Sequence, residues 1–133
     1  MSGLYTAFKN DLMKANINLE TVNVSAALID DASYTFADTH LTLDDIPPTA
    51  IVGTPLQLTN TSVVEDRFVA DDLLFTNVNG NTIEGVLFYI DTGVPSTSRL
   101  MLYANNDGTF SATPAGVNIN IIFNSNPPGI FRL

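Results

Sequence analysis

The residues of this chain best equipped for chemistry are one imidazole and a set of paired carboxylates. His40 stands two residues after Asp38, and a histidine beside a carboxylate can serve as a general base or as one ligand of a metal ion. It is the single histidine of a chain without cysteine, so a catalytic zinc site, which draws three ligands from the protein, is poorly supplied. The expected place of His40 is a loop, hydrogen-bonded to backbone. The acids come as neighbours: Asp30-Asp31, Asp44-Asp45, Glu65-Asp66 and Asp71-Asp72. Oxygen-rich loops suit hard cations, and Asn105-Asn106-Asp107-Gly108 resembles a fragment of a calcium loop. It lacks the spaced third acid and the bidentate glutamate, which leaves a turn as the expectation. Adjacent acids on a strand also point to opposite faces, so a pair does not readily share one ion.

Asp71-Asp72 differs from the other pairs in its flanks. Val69-Ala70 precede it and Leu73-Leu74-Phe75 follow it, so at least one carboxylate is expected near the core. Backbone N–H groups, Arg67 or Arg99 would then supply its donors, which makes Asp71 and Asp72 structural buried carboxylates. An enzyme built on this chain would have to bring Asp38 and His40, or Asp71 and Asp72, into one cleft. No Gly-x-Ser-x-Gly turn presents a serine, and Gly80, Gly85 and Gly93 do not form a phosphate-cradling loop. The expectation is a protein that is not an enzyme, with no metal and no cofactor.

Composition narrows the partners. Fourteen acidic against five basic residues give a net charge of −9, which repels a phosphate backbone and argues against nucleic acid. Absence of cysteine excludes disulfides and thiolate sites. Charged residues are only 14% of the chain while apolar ones are 45%, and mean hydropathy is +0.19. Such a surface is suited to being covered by neighbours, because a free monomer keeps itself soluble with charge. Met1 to Tyr5 lacks a basic region followed by an apolar run, and no apolar stretch approaches the roughly 18 residues of a spanning helix. Cytoplasmic synthesis without a membrane is expected.

The elements that must position these residues follow from periodicity. Leu4, Tyr5, Phe8 and Leu12 recur at helical spacing, predicting one amphipathic helix over about residues 3–14, with Ser2 available as a cap. From Thr21 the period becomes two, giving a first strand to Ile29. Residues 30–48 form a long irregular loop with one helical turn near Leu41 to Asp45, closed by Pro47-Pro48. Ile51 to Leu58 can be a strand, but Gly53 and Pro55 suit only an edge or a bulge, and strands follow at Val63 to Val69 and Leu73 to Val78. Asn79-Gly80 reads as a hairpin turn into a central strand beginning at Thr82. That strand, through Ile90, is apolar on both faces and so is covered on both sides. A turn at Thr92 to Ser96 leads into Arg99 to Tyr103, Asp107-Gly108 marks another turn, and Val117 to Phe123 alternates cleanly. Pro127-Pro128-Gly129 resets the chain before an apolar Ile130 to Leu133, which would pair as an edge strand or lie on a neighbour. The sum is one domain over residues 1–133: mainly β, an antiparallel β-sandwich or barrel with one N-terminal α-helix.

A series of phrases, in the same order along nearly the whole chain, resembles a family of small virion structural proteins of tailed bacteriophages. They are Leu4-Tyr5 before a short helix, Ile17-Asn18-Leu19, Val24 through Leu28-Ile29-Asp30, Tyr34, and Asp38-Thr39-His40. Ile46-Pro47, Ala70-Asp71-Asp72, Val86 to Tyr89, Ser98-Arg99-Leu100, Thr113-Pro114-Ala115-Gly116 and the closing Ile130-Phe131-Arg132-Leu133 continue the series. The resemblance implies a non-enzymatic capsid decoration or cement protein on the outside of the virion, assembled in the host cytoplasm. Its partners would be the major capsid protein and further copies of itself. A tail or fibre component, such as a receptor-binding knob with loops near Asn77 to Asn81 and Asn105 to Thr109, is the alternative. The contacts expected on this reading are Tyr5 and Phe8 of the helix, the irregular segment from Tyr34 to Ile46, and Ile130, Phe131 and Leu133 at the end of the chain.

Overall fold

The computed structural model describes residues 3–105, 111–125 and 128–133. Ser2, the expected turn at Asp107-Gly108 and most of the calcium-loop fragment lie outside the described residues. The fold is mainly β, with antiparallel sheets packed in a sandwich-like arrangement and one α-helix near the N-terminus. Five strands make the main sheet: β1 (Gly3–Leu4), β8 (Leu100–Ala104), β7 (Gly85–Ile90), β2 (Val24–Ile29) and β3 (Ile51–Gln57), in that order. Three smaller sheets join β6 (Leu73–Asn79) to β9 (Ala115–Ile121), β12 (Phe131–Arg132) to β5 (Arg67–Val69) and β4 (Ser62–Val64), and β10 (Asn124–Ser125) to β11 (Pro128–Gly129).

Every residue of β2 and of β7 is buried, as the two-sided apolar pattern requires. They pair in register from Val24 opposite Ile90 to Ile29 opposite Gly85. On one face, Phe88 meets Phe123 just beyond β9, ring centroids 5.9 Å apart. On the other, Leu87 lies opposite Tyr103 of β8, and Tyr103 carries Tyr34 and Phe36 of the irregular segment, at 5.4 and 5.9 Å. The loop between β2 and β3 is therefore a lid on the sheet, pinned by two short 3-10 turns, Leu43–Asp45 and Pro48–Ala50.

Besides the strand expected over Val63 to Val69, which is split at Glu65-Asp66 into the antiparallel pair β4 and β5, two elements depart from the pattern. The helix, α1, runs from Thr6 to Met13, starting later than expected because Gly3 and Leu4 pair with Tyr103 and Leu102 as the edge strand of the main sheet. Its first amides are satisfied from outside: Tyr5 N–H donates to Met101 O at 3.0 Å and Thr6 N–H to Asp38 O at 2.9 Å. The other departure is at Asn79-Gly80, where no hairpin forms. β6 pairs with β9 instead, and the chain turns from the smaller sheet into the main one. Gly80 has φ +136, and a Cβ there would lie 3.2 Å from Val52 of β3. The dipeptide marks a corner between layers, where glycine permits close approach.

Among the glycines of the described residues, the closest approach to a neighbour is at Gly85. A Cβ on this residue would sit 2.5 Å from the Tyr103 hydroxyl and 2.6 Å from two ring carbons, and both residues are buried. We expect Gly85→Ala to destabilise the fold by about 1–3 kcal/mol, the usual cost of overpacking a closed core. Urea denaturation compared with the wild type measures it.

Candidate functional site

The only imidazole, half-buried, ends a hydrogen-bonded chain that begins with two buried tyrosines. Tyr5 Oη lies 2.8 Å from Tyr34 Oη, and Tyr34 Oη 2.8 Å from His40 Nδ1. With Nδ1 as acceptor, Tyr5 donates to Tyr34 and Tyr34 donates to His40. Tyr103 donates to Asp31 Oδ1 at 2.9 Å. Burial, reinforced by these bonds, pushes the Tyr5 and Tyr103 hydroxyls well above the ordinary phenol range, and Tyr34 is raised by burial as well. His40 is thus held by a tyrosine hydroxyl where a backbone partner was expected, and among the described residues neither Asp38 nor any other carboxylate hydrogen-bonds its ring.

The acidic pairs hold the chain to itself. Asp71 and Asp72 are both exposed, which corrects their expected burial. In β6 the inward positions are Leu73, Phe75 and Val78, so the flanking apolar residues reach the core while the acids before them do not. Asp72 accepts from Phe123 N–H at 3.0 Å, and Asp71 from the Asn60 side chain at 2.6 Å. Neither arginine serves them: Arg99 pairs with Asp11 at 2.9 Å and Arg67 with Glu65 at 3.4 Å. The buried carboxylate is Asp30, 5% exposed, which accepts from Ala32 N–H, Ser33 Oγ and Asn81 Nδ2. Asp45 Oδ2 accepts from the Leu41 and Thr42 amides at 2.7 and 3.2 Å, and these bonds hold its carboxyl below the usual range. Among the described residues, no three acids or histidines are grouped to hold a metal ion.

Four of the expected contact residues are core. Tyr5, Phe8, Tyr34 and Ile46 are all buried within the one chain, so none offers a free surface. Their aromatic or aliphatic character, read as adhesive, belongs to packing: burial of one such side chain contributes about 1.5–3 kcal/mol. Ile130 and Phe131 are half-buried. Phe131 packs edge-on against Phe8 and tilted on Phe68, at 5.8 and 5.7 Å, and the terminal strand pairs with β5. Leu133 alone is exposed, at 68%.

Leu133 borders an open groove of about 580 Å³ between the end of α1 and β4, lined also by Leu12, Ile17, Leu19 and Val63. A second hollow of about 260 Å³ shares Leu12 and Leu133 and adds Lys9 and Met13. Met13 is 78% exposed. Local structure builds this surface directly. α1 buries Phe8, Ala15 adopts a left-handed conformation with φ 58 that ends the helix and returns the chain through Ile17, and Leu133 N–H is held by Asp66 O at 3.0 Å. Charge is uneven around it. The three arginines, Arg67, Arg99 and Arg132, each pair with an acid, whereas Lys9 and Lys14 make no ion pair among the described residues. Both lysines are exposed on the turn and a half that forms the groove.

A second apolar patch lies at the end of the β6–β9 ribbon. Leu74, 53% exposed, and Ile122, 69% exposed, accompany exposed Asp71 and Asp72, and the Asp72–Phe123 bond draws the two segments together. Sequence inspection named Leu133 of the first patch and missed the rest of both. Their signals were Met13, which falls off the Leu4-Phe8-Leu12 stripe, Leu74, which sits at an outward position of β6, and Ile122, just past the end of β9. No helix of the described residues is long and apolar enough to cross a membrane. Comparison of the chain with protein-family models and with the curated proteins finds no match.

Two outcomes test this geometry. Tyr34→Phe removes the link between Tyr5 and His40 and leaves the buried Tyr5 hydroxyl without its acceptor, at a cost of about 1–3 kcal/mol in urea denaturation. For Asp45 the folded pKa is depressed, so its contribution is present above the unfolded carboxylate value and is lost as pH falls through the folded one. The stability gap between wild type and Asp45→Asn should hold at neutral pH and close in that acidic window, measured by denaturation across pH.

Proposed function

We propose that the protein is a non-enzymatic structural component of a tailed-phage particle, a decoration or cement protein bound to the capsid exterior. The observation that carries this reading is the pair of exposed apolar patches on a small β domain whose core is otherwise closed. Apolar surface of this kind, rimmed by charge, is what an assembling subunit presents to its neighbours. The disposition of the reactive side chains supports the same reading. His40, Tyr5, Tyr34 and Tyr103 use their hydrogen bonds to fasten the lid segment to the sheet, as a scaffold does. The likeness of phrases along the chain to small virion proteins supplies the particle, and the net acidity suits an outer surface.

On this reading the mechanism is mechanical. Copies attached across neighbouring capsid subunits gain from effective concentration, so a modest single contact strengthens the shell. The load of packaged genome is then shared over more interface.

Co-sedimentation of the purified protein with expanded phage capsids that lack it tests the proposal. The expected result is saturable binding in a fixed ratio to the major capsid protein, with capsids that survive heating better. Absence of capsid binding, with the protein found instead in isolated tails, would replace the cement reading with a tail or fibre component.

A further inference from the structure

We propose that the groove at the end of α1 receives the acidic end of the β6–β9 ribbon of a second copy of this chain. The inference deepens the reading above, since it names a partner for an assembling subunit, and it rests on that reading only for the need to assemble. Two complementary surfaces on one chain carry it. The groove shares Leu12 and Leu133 with the adjoining hollow, which adds Met13 and Lys9, and exposed Lys14 follows Met13 in the chain. The ribbon end presents Leu74 and Ile122 beside Asp71 and Asp72. Each therefore joins apolar area to charge, and the charges are opposite.

The rest of the molecule makes this match selective. In a chain of net charge −9, with its arginines already paired, the groove is where unpaired cations gather among the described residues. Another copy approaching with most of its surface is repelled, and the contact with the two lysines is the one that is not. Asp72 is held by Phe123 N–H and Asp71 by Asn60, so both carboxylates are positioned before contact and little side-chain freedom remains to be lost. The two surfaces come from different elements, so the contact is heterologous: each copy offers one groove and one ribbon end. Such contacts satisfy every copy only when they close into a ring.

Sedimentation velocity on the full chain tests the pairing. At micromolar concentration and low salt the wild type should sediment as a discrete multiple of its 14.3 kDa mass. Raising salt to about 0.5 M should weaken association, because exposed charges are then screened within a few ångströms. The double variants Lys9→Glu/Lys14→Glu and Asp71→Lys/Asp72→Lys should each associate at least tenfold more weakly, and an equimolar mixture of the two should recover association. Met13→Ser and Leu74→Ser touch neither core nor charge and should weaken association likewise, which keeps the test decisive if a charge reversal unfolds. A wild type that stays at 14.3 kDa overturns the pairing, as do variants that assemble unchanged or reversed variants that remain apart when mixed. A monomer that still saturates capsids overturns the pairing and leaves the capsid role standing; a ring that ignores capsids does the reverse.

Discussion

Tyr103 crossing the backbone of Gly85 is the constraint on which the rest of the structure depends. The ring occupies the space a side chain would take at Gly85, and so lies over β7 while remaining on β8. From there it meets the edge of Tyr34, stacks on Phe36 and donates to Asp31. Those three residues belong to the segment after β2, which has no long element of its own to keep it in place. A methyl group at one position would therefore reach further than the sheet, because the lid, and Tyr5 through Tyr34, take their positions from that ring.

Dependence of this kind explains what could be read from the sequence. Strand character was legible where one face or both faces are buried: β2, β7 and β9 follow from apolar periodicity, and β3 follows as an edge from Gly53 and Pro55. The short turn within Leu43–Asp45 falls inside the helical turn expected over Leu41 to Asp45, which the prolines beyond it close. What could not be read is which strands share a sheet. Asn79-Gly80 has the composition of a hairpin, yet the turn takes its course from Val52 across the sandwich, a contact remote in sequence.

The same limit applied to the surface. Tyr5 and Phe8 are a helical stripe whether the stripe faces a core or a partner, and periodicity alone does not distinguish them. Asp71 and Asp72 lie between apolar runs, but they stand in the connection before β6, where Asn60 and the Phe123 amide hold them at the surface. Met13 and Leu74 became informative only once the core was seen to be complete without them. An apolar residue left over after the interior is filled says more than one counted before.

The tyrosines give the molecule a further property. All four are buried, and burial raises each hydroxyl above the ordinary phenol value of 10. A raised folded pKa means that the neutral form is favoured in the fold, so its contribution is intact below the unfolded value and declines as alkali carries pH above it. With no tryptophan in the chain, near-ultraviolet absorption comes chiefly from these rings. Phenolate colour should then emerge at higher pH than in free tyrosine, so that the chain carries its own optical indicator of alkaline opening.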